Sequence, residues 1–334
     1  MTPPSRATAV GLVSGGLDSA LAVKLVLEQG IAVIGYNLRT PFLGGGNEAV
    51  VRTLAENLGI ELVVEDAGED YVELVRSPRY GRGAALNPCV DCHIYMLRRA
   101  EALRRERGAS FCFTGEVLGQ RPMSQWRRQL ELIEREAGLE GKLLRPLSAK
   151  LLPPTRPEEE GLVDRRKLLD LRGRTRRPQL ALAKAYGVAG YSSPAGGCLL
   201  TDKNFAARLA DAFAHDEYGA DDINLLKIGR HFRLPSGAKA IVGRNERENE
   251  KILEYLDEGG AAFEIVAVGS PVTLLRPSRE DDWPAGAALT LRYSDARESD
   301  AAEARVWSSK GELGTMAARS REAANSDEWR VGAG

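Results

Sequence analysis

The sequence predicts an α/β fold, a doubly wound parallel sheet with helices on both faces, followed by a second, smaller α+β domain. The chain has 334 residues, which is long enough for two domains with separate cores. In the first half, short β-prone apolar runs alternate with runs of helical periodicity, as in successive βαβ units. This alternation ends at an acidic stretch, residues 215–222. We therefore expect domains over residues 1–214 and 221–307, and a polar tail over 308–334.

Each element of the first domain follows from its apolar pattern and its terminating residues. β-prone runs predict five strands, over residues 7–13, 31–38, 60–65, 111–114 and 143–147. Helical periodicity ending at glycine predicts three helices, over residues 20–29, 47–58 and 94–107. Right-handed crossovers bring the carboxyl ends of such strands to one edge of the sheet, where ligands bind. The loops expected at that edge are residues 14–19, 39–46, 114–125 and the stretch after 145.

Composition excludes several classes of protein. Charged residues make up 28% of the chain and hydrophobic residues 43%, with a net charge of −1, which is typical of a soluble globular protein. Because the net charge is so small, RNA contacts would need local basic patches. No run approaches the roughly 18 apolar residues of a membrane span, and residues 1–6 lack the apolar segment of a secretory leader. We expect a cytoplasmic protein with no membrane partner.

The most informative stretch is SGGLDS at residues 14–19, between the first predicted strand and the first predicted helix. Its two glycines allow a tight turn close to an anion, and the helix N-terminus supplies free N–H groups. The two serines add hydroxyl donors, whereas Asp18 beside a phosphate requires a metal ion or a substrate hydroxyl between them. The pattern differs from the Walker sequence because it has no lysine. The alternative is an ordinary turn that binds no ligand.

Three of the four cysteines lie in segments that indicate chemistry rather than packing. Cys89 and Cys92 have CxxC spacing at the start of a predicted helix, whose dipole would lower the pKa of both thiols. Cys198 follows two glycines, which permit a close backbone approach. Such thiolates bind a soft metal or form a nucleophile pair, and His93 is a candidate fourth ligand for zinc. The alternative is buried structural thiols, which we expect only for Cys112 in the fourth strand.

Five motifs carry a resemblance to a known family: SGGLDS at 14–19, NPCVDC at 87–92, TGEVLGQ at 114–120, LRPL at 144–147 and GGC at 196–198. Over residues 7–213 they resemble the PP-loop ATP pyrophosphatases, and among these the tRNA thiouridine synthetases. TGEVLGQ and LRPL are most similar to the 4-thiouridine synthetases. NPCVDC and GGC are similar to the 2-thiouridylases and their iron–sulfur-dependent relatives. The 2-thiouridylases have aspartate near the position of Cys89, so this departure favours the cluster-bearing relatives.

The resemblance implies an adenine nucleotide alpha-hydrolase-like fold and an ATP-dependent tRNA sulfurtransferase that forms thiouridine. It implies catalytic roles for Asp18, Cys89, Cys92 and Cys198. The three cysteines would hold a 4Fe–4S cluster with one open position, or one of them would carry a persulfide. The sulfur donor would be sulfide or a persulfide carrier.

The predicted nucleotide site combines the first loop with two neighbouring strand ends. ATP phosphates and Mg²⁺ would lie at residues 14–19, and topology puts adenosine near Leu38 and Arg39. Gly115 lies where a strand-end backbone would meet adenine or ribose, and the Gln120 amide suits a base edge. The predicted set is Ser14, Gly15, Gly16, Asp18, Ser19, Leu38, Arg39, Gly115 and Gln120.

Basic segments and the second domain are the candidate tRNA contacts. Arginines among the glycines at 76–82 and the dense run RGRTRR at 172–177 predict phosphate-backbone contacts, or else solvated surfaces. Residues 243–250 and 293–297 resemble the RNA-binding module shared with ribosome-quality-control factors. The alternative is a small α+β dimerisation or structural domain. A homodimer is a separate expectation for the assembly. The polar residues from 308 onward predict a partly disordered tail.

Two other functions fit the sequence. One is a different PP-loop enzyme that adenylates a carbonyl for attack by an amine or ammonia, with structural cysteines. The other is a non-enzymatic RNA-binding adaptor with a degraded nucleotide fold, against which the intact SGGLDS argues.

Overall fold

The computed structural model describes residues 7–43, 47–192 and 197–332. Four stretches considered above therefore lie outside the described residues: 1–6, the end of the 39–46 loop at 44–46, the 193–196 part of the glycine-rich segment before Cys198, and the end of the predicted tail at 333–334. The chain divides into two compact units, the first ending at Thr201 and the second beginning at Asp202.

The division between the units falls before residue 214, where the sequence suggested the end of the first domain. Residues 203–214 form a helix whose first turn is capped by the Asp202 carboxylate, which accepts from the Phe205 N–H at 2.8 Å. This helix lies against the last strand of the second unit. The helix belongs to the second unit because it packs against that unit, a contact that the sequence pattern does not reveal.

The first unit is built on a five-stranded parallel sheet, as predicted. Its strands are β1 (Thr8–Leu12), β2 (Ala32–Arg39), β3 (Glu61–Asp66), β4 (Phe111–Phe113) and β5 (Leu143–Leu144). They lie in the order β3-β2-β1-β4-β5, and every pair is parallel. The helices are α1 (Leu17–Leu27), α2 (Asn47–Leu58), α3 (Glu69–Arg76), α4 (Cys89–Glu106), α5 (Arg127–Glu136), α6 (Arg156–Glu159) and α7 (Arg177–Tyr186). The carboxyl ends of all five strands consequently meet at one edge.

Apolar layers cover both faces of this sheet. Ala9 of β1 packs in the layer that contains Leu21 of α1 and Leu54 of α2. The next residue, Val10, belongs to the opposite layer, which contains Leu97 of α4. This alternation along one strand is expected for a sheet buried on both sides, and it confirms the doubly wound architecture.

Two helices begin earlier than the apolar periodicity predicts. Helix α1 starts at Leu17 rather than residue 20, and α4 starts at Cys89 rather than residue 94. In both cases the helix begins inside the motif, directly after a glycine turn or a proline. Asp18 and Cys89 therefore lie in the first turns of helices, where unpaired backbone N–H groups are available, whereas the Cys92 N–H donates to the Pro88 carbonyl at 2.9 Å.

The second unit is an antiparallel sheet with helices, the expected α+β fold. Its strands are β6 (Arg230–Arg233), β7 (Lys239–Val242), β8 (Ala261–Ile265), β9 (Thr273–Arg276), β10 (Ala301–Ser308), β11 (Gly311–Arg319) and β12 (Arg330–Val331), in the order β11-β10-β8-β9-β7-β6-β12. Its helices are α8 (Lys203–Ala214), α9 (Ala220–Leu225), α10 (Glu246–Leu253) and α11 (Trp283–Arg292). Helix α11 is almost entirely buried against the sheet. Within the described residues, no helix is both long and apolar enough to cross a membrane.

Residues 308–332 belong to the second unit and are not a separate tail. Strand β11 pairs with β10, and β12 pairs with β6. Because β11 is an edge strand with mostly exposed side chains, its composition resembles that of a polar tail. Ala318 and Ala323 nevertheless lie in the buried core.

Candidate nucleotide and thiol site

The SGGLDS loop forms a tight backbone turn at the carboxyl end of β1. Gly15 has φ of +78°, a conformation that favours glycine. The Ser19 hydroxyl donates to the Gly16 carbonyl at 2.8 Å and accepts from the Ser14 N–H at 3.3 Å. From the far end of the unit, the Ser192 N–H donates to the Gly15 carbonyl at 2.8 Å. The turn is therefore held both from within and by a remote segment.

Gly115 allows the loop after β4 to touch the start of α1. A Cβ atom at this position would lie 2.6 Å from backbone atoms of Asp18 and Ser19, closer than real side chains approach. We expected adenine or ribose beside Gly115. On the side where a Cβ atom would lie, the backbone of the SGGLDS loop fills that space instead. The glycine joins the two loops of the predicted nucleotide site.

Asp18 is held by a relay of amides and faces an arginine. Its Oδ2 accepts from Gln120 Nε2 at 2.7 Å, and Gln120 Oε1 accepts from the buried Gln179 amide at 3.0 Å. Arg176 Nη2 lies 3.5 Å from the same Oδ2. Asp18 Oδ1 is buried without a hydrogen-bond partner among the described residues. Gln120, predicted as a base-edge contact, therefore orients Asp18 in this structure.

Leu38 and Arg39 close the second strand at the same edge, but their side chains are already engaged. Leu38 is buried in an apolar layer. Arg39 forms ion pairs with Asp66, at 2.7 Å from Nε, and with Glu48. An adenosine contact at these two residues stays a prediction.

The chain brings the three candidate cysteines together from two distant segments. Cys89 and Cys92 open α4, whereas Cys198 forms an isolated β-bridge with Leu43 beyond the end of β2. A second link lies close by. The N–H of Leu86, just before the CxxC motif, donates to the carbonyl of Leu200, just after Cys198, at 3.1 Å. The thiols are close enough that the charge of Cys198 affects the pKa of both Cys89 and Cys92.

Burial raises the pKa of all three thiols, which corrects the depression expected from the helix dipole. It raises the pKa of Cys92 to about 12, although the Tyr71 hydroxyl lies 3.0 Å from its sulfur and works in the opposite direction. The pKa values of Cys89 and Cys198 are also raised by burial, against the opposing charge of Arg121. Desolvation outweighs the dipole here. The three cysteines are protonated at neutral pH unless a metal displaces the protons.

Among the described residues, no group of three His, Cys, Asp or Glu side chains is arranged to hold a metal ion. His93 Nδ1 hydrogen-bonds to Glu116 Oε1 at 2.8 Å, which leaves Nε2 as the ring nitrogen for a metal, so His93 as a fourth zinc ligand stays a prediction. Cys112 is fully buried in an apolar layer, as predicted.

A buried ion-pair network links three of the segments identified in the sequence. Sequence reasoning did not predict this network. Arg145 of LRPL is 2% exposed and pairs with Glu116 of TGEVLGQ at 2.9 Å and with Glu134. Glu116 also accepts from the Thr114 hydroxyl at 3.0 Å and contacts His93 of the CxxC segment. The one available signal was an arginine and a glutamate in apolar surroundings, because buried charges need partners.

Replacing Glu116 by glutamine should destabilise the first unit in a pH-dependent way. Burial opposes ionisation of Glu116, but the Arg145 charge and the His93 hydrogen bond outweigh it and lower the pKa from 4.5 to about 2. The wild-type carboxylate therefore stabilises the fold above about pH 4.5, and this contribution is lost as the pH falls towards 2. At pH 7 we expect Glu116→Gln to lower the free energy of unfolding by about 3–5 kcal/mol, since Arg145 loses a buried partner.

Urea unfolding at several pH values would measure this effect. The difference between wild type and Glu116→Gln should shrink steadily below pH 4.5. Glu56→Gln, an exposed glutamate of α2, serves as the matched control and should follow wild type throughout. A difference that stays constant down to pH 2 would contradict the assignment of the charge to Glu116.

Part of the basic run at 172–177 lies beside the SGGLDS loop rather than on an open surface. Arg172 forms a β-bridge with Leu118, and the Gly173 N–H donates to the Leu118 carbonyl at 2.8 Å. Arg176 faces Asp18, while Arg174 and Arg177 are exposed. The run predicted to contact RNA is thus split between two environments.

Two family models match the chain, one within each of the two units. Residues 5–150 match the family described as Thiamine biosynthesis protein (ThiI), and residues 229–330 match the NFACT protein RNA binding domain. The resemblance drawn from the motifs is confirmed. The first unit has the PP-loop ATP pyrophosphatase fold.

Individual relatives of this chain carry names of tRNA-thiolating proteins. The chain is 37% identical over 118 residues to tRNA-specific 2-thiouridylase MnmA of Syntrophotalea carbinolica, covering 31% of this chain and 32% of the relative. It is 31% identical over 155 residues to the probable tRNA sulfurtransferase of Thermus thermophilus, covering 44% of this chain and 36% of the relative. The chain spans about a third of the length of these curated relatives.

One solved structure is similar to part of this chain. The crystal structure of a 4-thiouridine synthetase–RNA complex with bound ATP aligns with 27% identity and a TM-score of 0.36. The alignment covers 43% of this chain and 37% of that chain.

Proposed function

We propose that this protein is an ATP-dependent tRNA sulfurtransferase that adenylates a uridine carbonyl and replaces its oxygen by sulfur. The observation that carries the proposal is the meeting of three thiols and the SGGLDS loop at one sheet edge. Two consecutive residues connect them, because Gln120 hydrogen-bonds to Asp18 while the charge of Arg121 acts on Cys89 and Cys198. A PP-loop and its thiols would need this proximity to activate a carbonyl and deliver sulfur to it.

The proposed reaction has two steps. The uridine carbonyl oxygen attacks the α-phosphorus of ATP, the α–β anhydride bond breaks, pyrophosphate leaves and the uridine N3 proton is released. A sulfide-level sulfur then attacks the activated carbon, and AMP departs with the former carbonyl oxygen. Adenylation is required because oxide is a very poor leaving group, whereas AMP is a good one.

The loop residues have the properties that the first step needs. Backbone N–H groups at the start of α1 and the hydroxyls of Ser14 and Ser19 can bind the leaving phosphates. The unpartnered Oδ1 of Asp18 fits Mg²⁺, which prefers a carboxylate together with substrate phosphates. Bound there, Mg²⁺ would neutralise phosphate charge.

The thiols fit the donor set of a 4Fe–4S cluster, for which we propose Cys89, Cys92 and Cys198 as the ligands. Three protein thiolates leave one iron position for exogenous sulfide, which is the chemistry such a cluster would supply. Because burial keeps these thiols protonated, cluster binding would require them to lose protons and approach one another. A persulfide on one of the three cysteines is the other sulfur source. Its outer sulfur would attack the activated carbon, and a second thiolate of the set would then break the S–S bond by forming a disulfide with the carrier cysteine, which an external thiol must reduce.

The second unit supports tRNA as the substrate, through the match of residues 229–330 to an RNA-binding domain. We propose that residues 221–307 and the strands that follow bind tRNA, while the PP-loop unit performs the chemistry. Sulfide or a persulfide carrier as the donor, a homodimeric assembly and a cytoplasmic location complete the proposal.

Three measurements test the proposed function. Protein, tRNA and ATP should support ATP–pyrophosphate exchange, and tRNA nucleosides from a deletion strain should lack one thiouridine by mass spectrometry. Protein purified without oxygen should be brown and contain iron. Unchanged thiouridines in the deletion strain, together with no exchange, would contradict the proposal. Iron-free protein that still thiolates tRNA would leave the persulfide route.

The raised thiol pKa values favour one second candidate. Inert, protonated cysteines would suit a PP-loop enzyme that adenylates a carbonyl for attack by an amine or ammonia, with the thiols as structural groups. A Cys89→Ser protein with full turnover and no thiolation activity would support this candidate instead.

A further inference from the structure

The side chain of Arg176 is directed into the SGGLDS site from a segment beyond the ThiI match. Residues 172–192 are fixed to the site at both ends, by the Gly173 N–H on the Leu118 carbonyl and by the Ser192 N–H on the Gly15 carbonyl. The Arg176 side chain is 26% exposed, and its Nη2 lies 3.5 Å from Asp18 Oδ2. The fold therefore holds a cation next to the loop.

Asp18 and Arg176 each have one side-chain polar atom without a hydrogen-bond partner here. Asp18 Oδ1 and Arg176 Nε are both buried, and neither has a hydrogen-bond partner among the described residues. The 3.5 Å separation of the two charges is longer than the roughly 2.8 Å of a direct charged hydrogen bond. Unpaired buried polar atoms are unfavourable, so this pair is incomplete without a third group.

The group missing at Arg176 should be an anion with several oxygens, whereas Asp18 Oδ1 is the atom proposed above for Mg²⁺. Arg176 has a free Nε–H and a forked guanidinium, the geometry that suits phosphate. The SGGLDS loop lacks the lysine that contacts phosphates in Walker loops, so its own sequence supplies no cation. Phosphate at this place could come from ATP or from the tRNA backbone. The partly buried position beside the loop favours ATP, because the other arginines of the run, Arg172, Arg174 and Arg177, are exposed.

We propose that Arg176 binds the β- and γ-phosphates of ATP and then the pyrophosphate product, as the cation that the loop itself lacks. This inference rests on the proposed function, because it assumes that the loop binds ATP. On binding, the guanidinium exchanges its long contact with Asp18 for phosphate oxygens. The Asp18 carboxylate is thereby released from Arg176 while Gln120 continues to hold it.

Binding of ATP, AMP and inorganic pyrophosphate to the full-length protein with Mg²⁺ tests this inference. Arg176→Gln should weaken ATP and pyrophosphate binding by about tenfold to a hundredfold, and Arg176→Lys by less, because lysine keeps the charge without the fork. AMP affinity should stay unchanged, since AMP lacks the β- and γ-phosphates. Arg174→Gln, an exposed neighbour, is the matched control and should bind all three ligands as wild type does.

Each contrary result has a distinct meaning. If Arg176→Gln and Arg176→Lys bind ATP and pyrophosphate as tightly as Arg174→Gln, the inference is wrong while the proposed function stands. Loss of tRNA affinity with intact ATP affinity would assign Arg176 to the RNA and overturn the inference. Equal loss of AMP and ATP affinity would mean a structural role, which thermal unfolding of both variants would reveal. Wild-type protein that binds no ATP would overturn the inference and the proposed function together.

Discussion

Replacing Asp18 by asparagine should lower tRNA-dependent ATP–pyrophosphate exchange by about a hundredfold or more, beyond the range found for groups that only orient metal ligands. Asp18 has one oxygen held by Gln120 and a second that is buried without a partner. Asparagine keeps the size of the side chain but removes the charge that would hold Mg²⁺ against phosphate. Folding should be little affected, because the Gln120 amide can still donate to the asparagine oxygen.

Glu28→Gln is the matched control for this substitution. Glu28 follows the opposite end of α1, is exposed and pairs only with Lys24 at 2.8 Å. Its exchange rate should stay within about twofold of wild type, since a surface ion pair contributes little. An Asp18→Asn protein that exchanges as fast as Glu28→Gln would remove Asp18 from the phosphate site.

Replacing Cys198 by serine should abolish tRNA thiolation, a fall of about a thousandfold or more, as expected when a group essential to group transfer is removed. Serine has nearly the same shape, but its oxygen is neither a soft metal ligand nor a sulfur carrier. ATP–pyrophosphate exchange should persist, because the phosphate-binding loop and Asp18 are unchanged. The separation of the two activities is the informative result.

Cys112→Ser is the control that the chain itself supplies. Cys112 is buried in an apolar layer near Glu101, and it is not part of the thiol group. Its thiolation rate, corrected for the amount of folded protein, should match wild type. Iron content measured in parallel separates the two sulfur sources, since loss of iron in Cys198→Ser alone would indicate a cluster. Full thiolation by Cys198→Ser would leave the cysteine with a structural role.

The sheet and the meeting of two predicted loops at its edge could be predicted because both follow from short-range patterns. Alternating apolar runs predict parallel strands, and parallel strands bring the SGGLDS loop and the TGEVLGQ loop to one edge. Gly115 of the second loop lies against the backbone of Asp18 and Ser19 in the first, so the two loops do meet. The PP-loop family match agrees with it.

The electrostatics of the site could not be predicted in the same way, because they depend on partners far apart in the chain. The prediction of lowered thiol pKa values was wrong. The helix start at the CxxC motif can be predicted from the sequence, whereas the burial that raises the pKa of Cys92 cannot. The pairing of Glu116 with Arg145 joins two motifs that look independent. Arg176 looks like its neighbours Arg174 and Arg177, yet only the fold directs it to Asp18.

The hydrogen bonds from Ser192 to Gly15 set a lower limit on the part of the chain that can function alone. The ThiI match ends at residue 150, whereas the Ser192 N–H and hydroxyl reach the Gly15 carbonyl from 2.8 and 3.2 Å. A fragment trimmed to the matched residues would also lack Gln179, which steadies the Asp18 relay, and Cys198. Such a fragment could keep its sheet and still lose nucleotide binding, so the shortest autonomous unit extends to about residue 201.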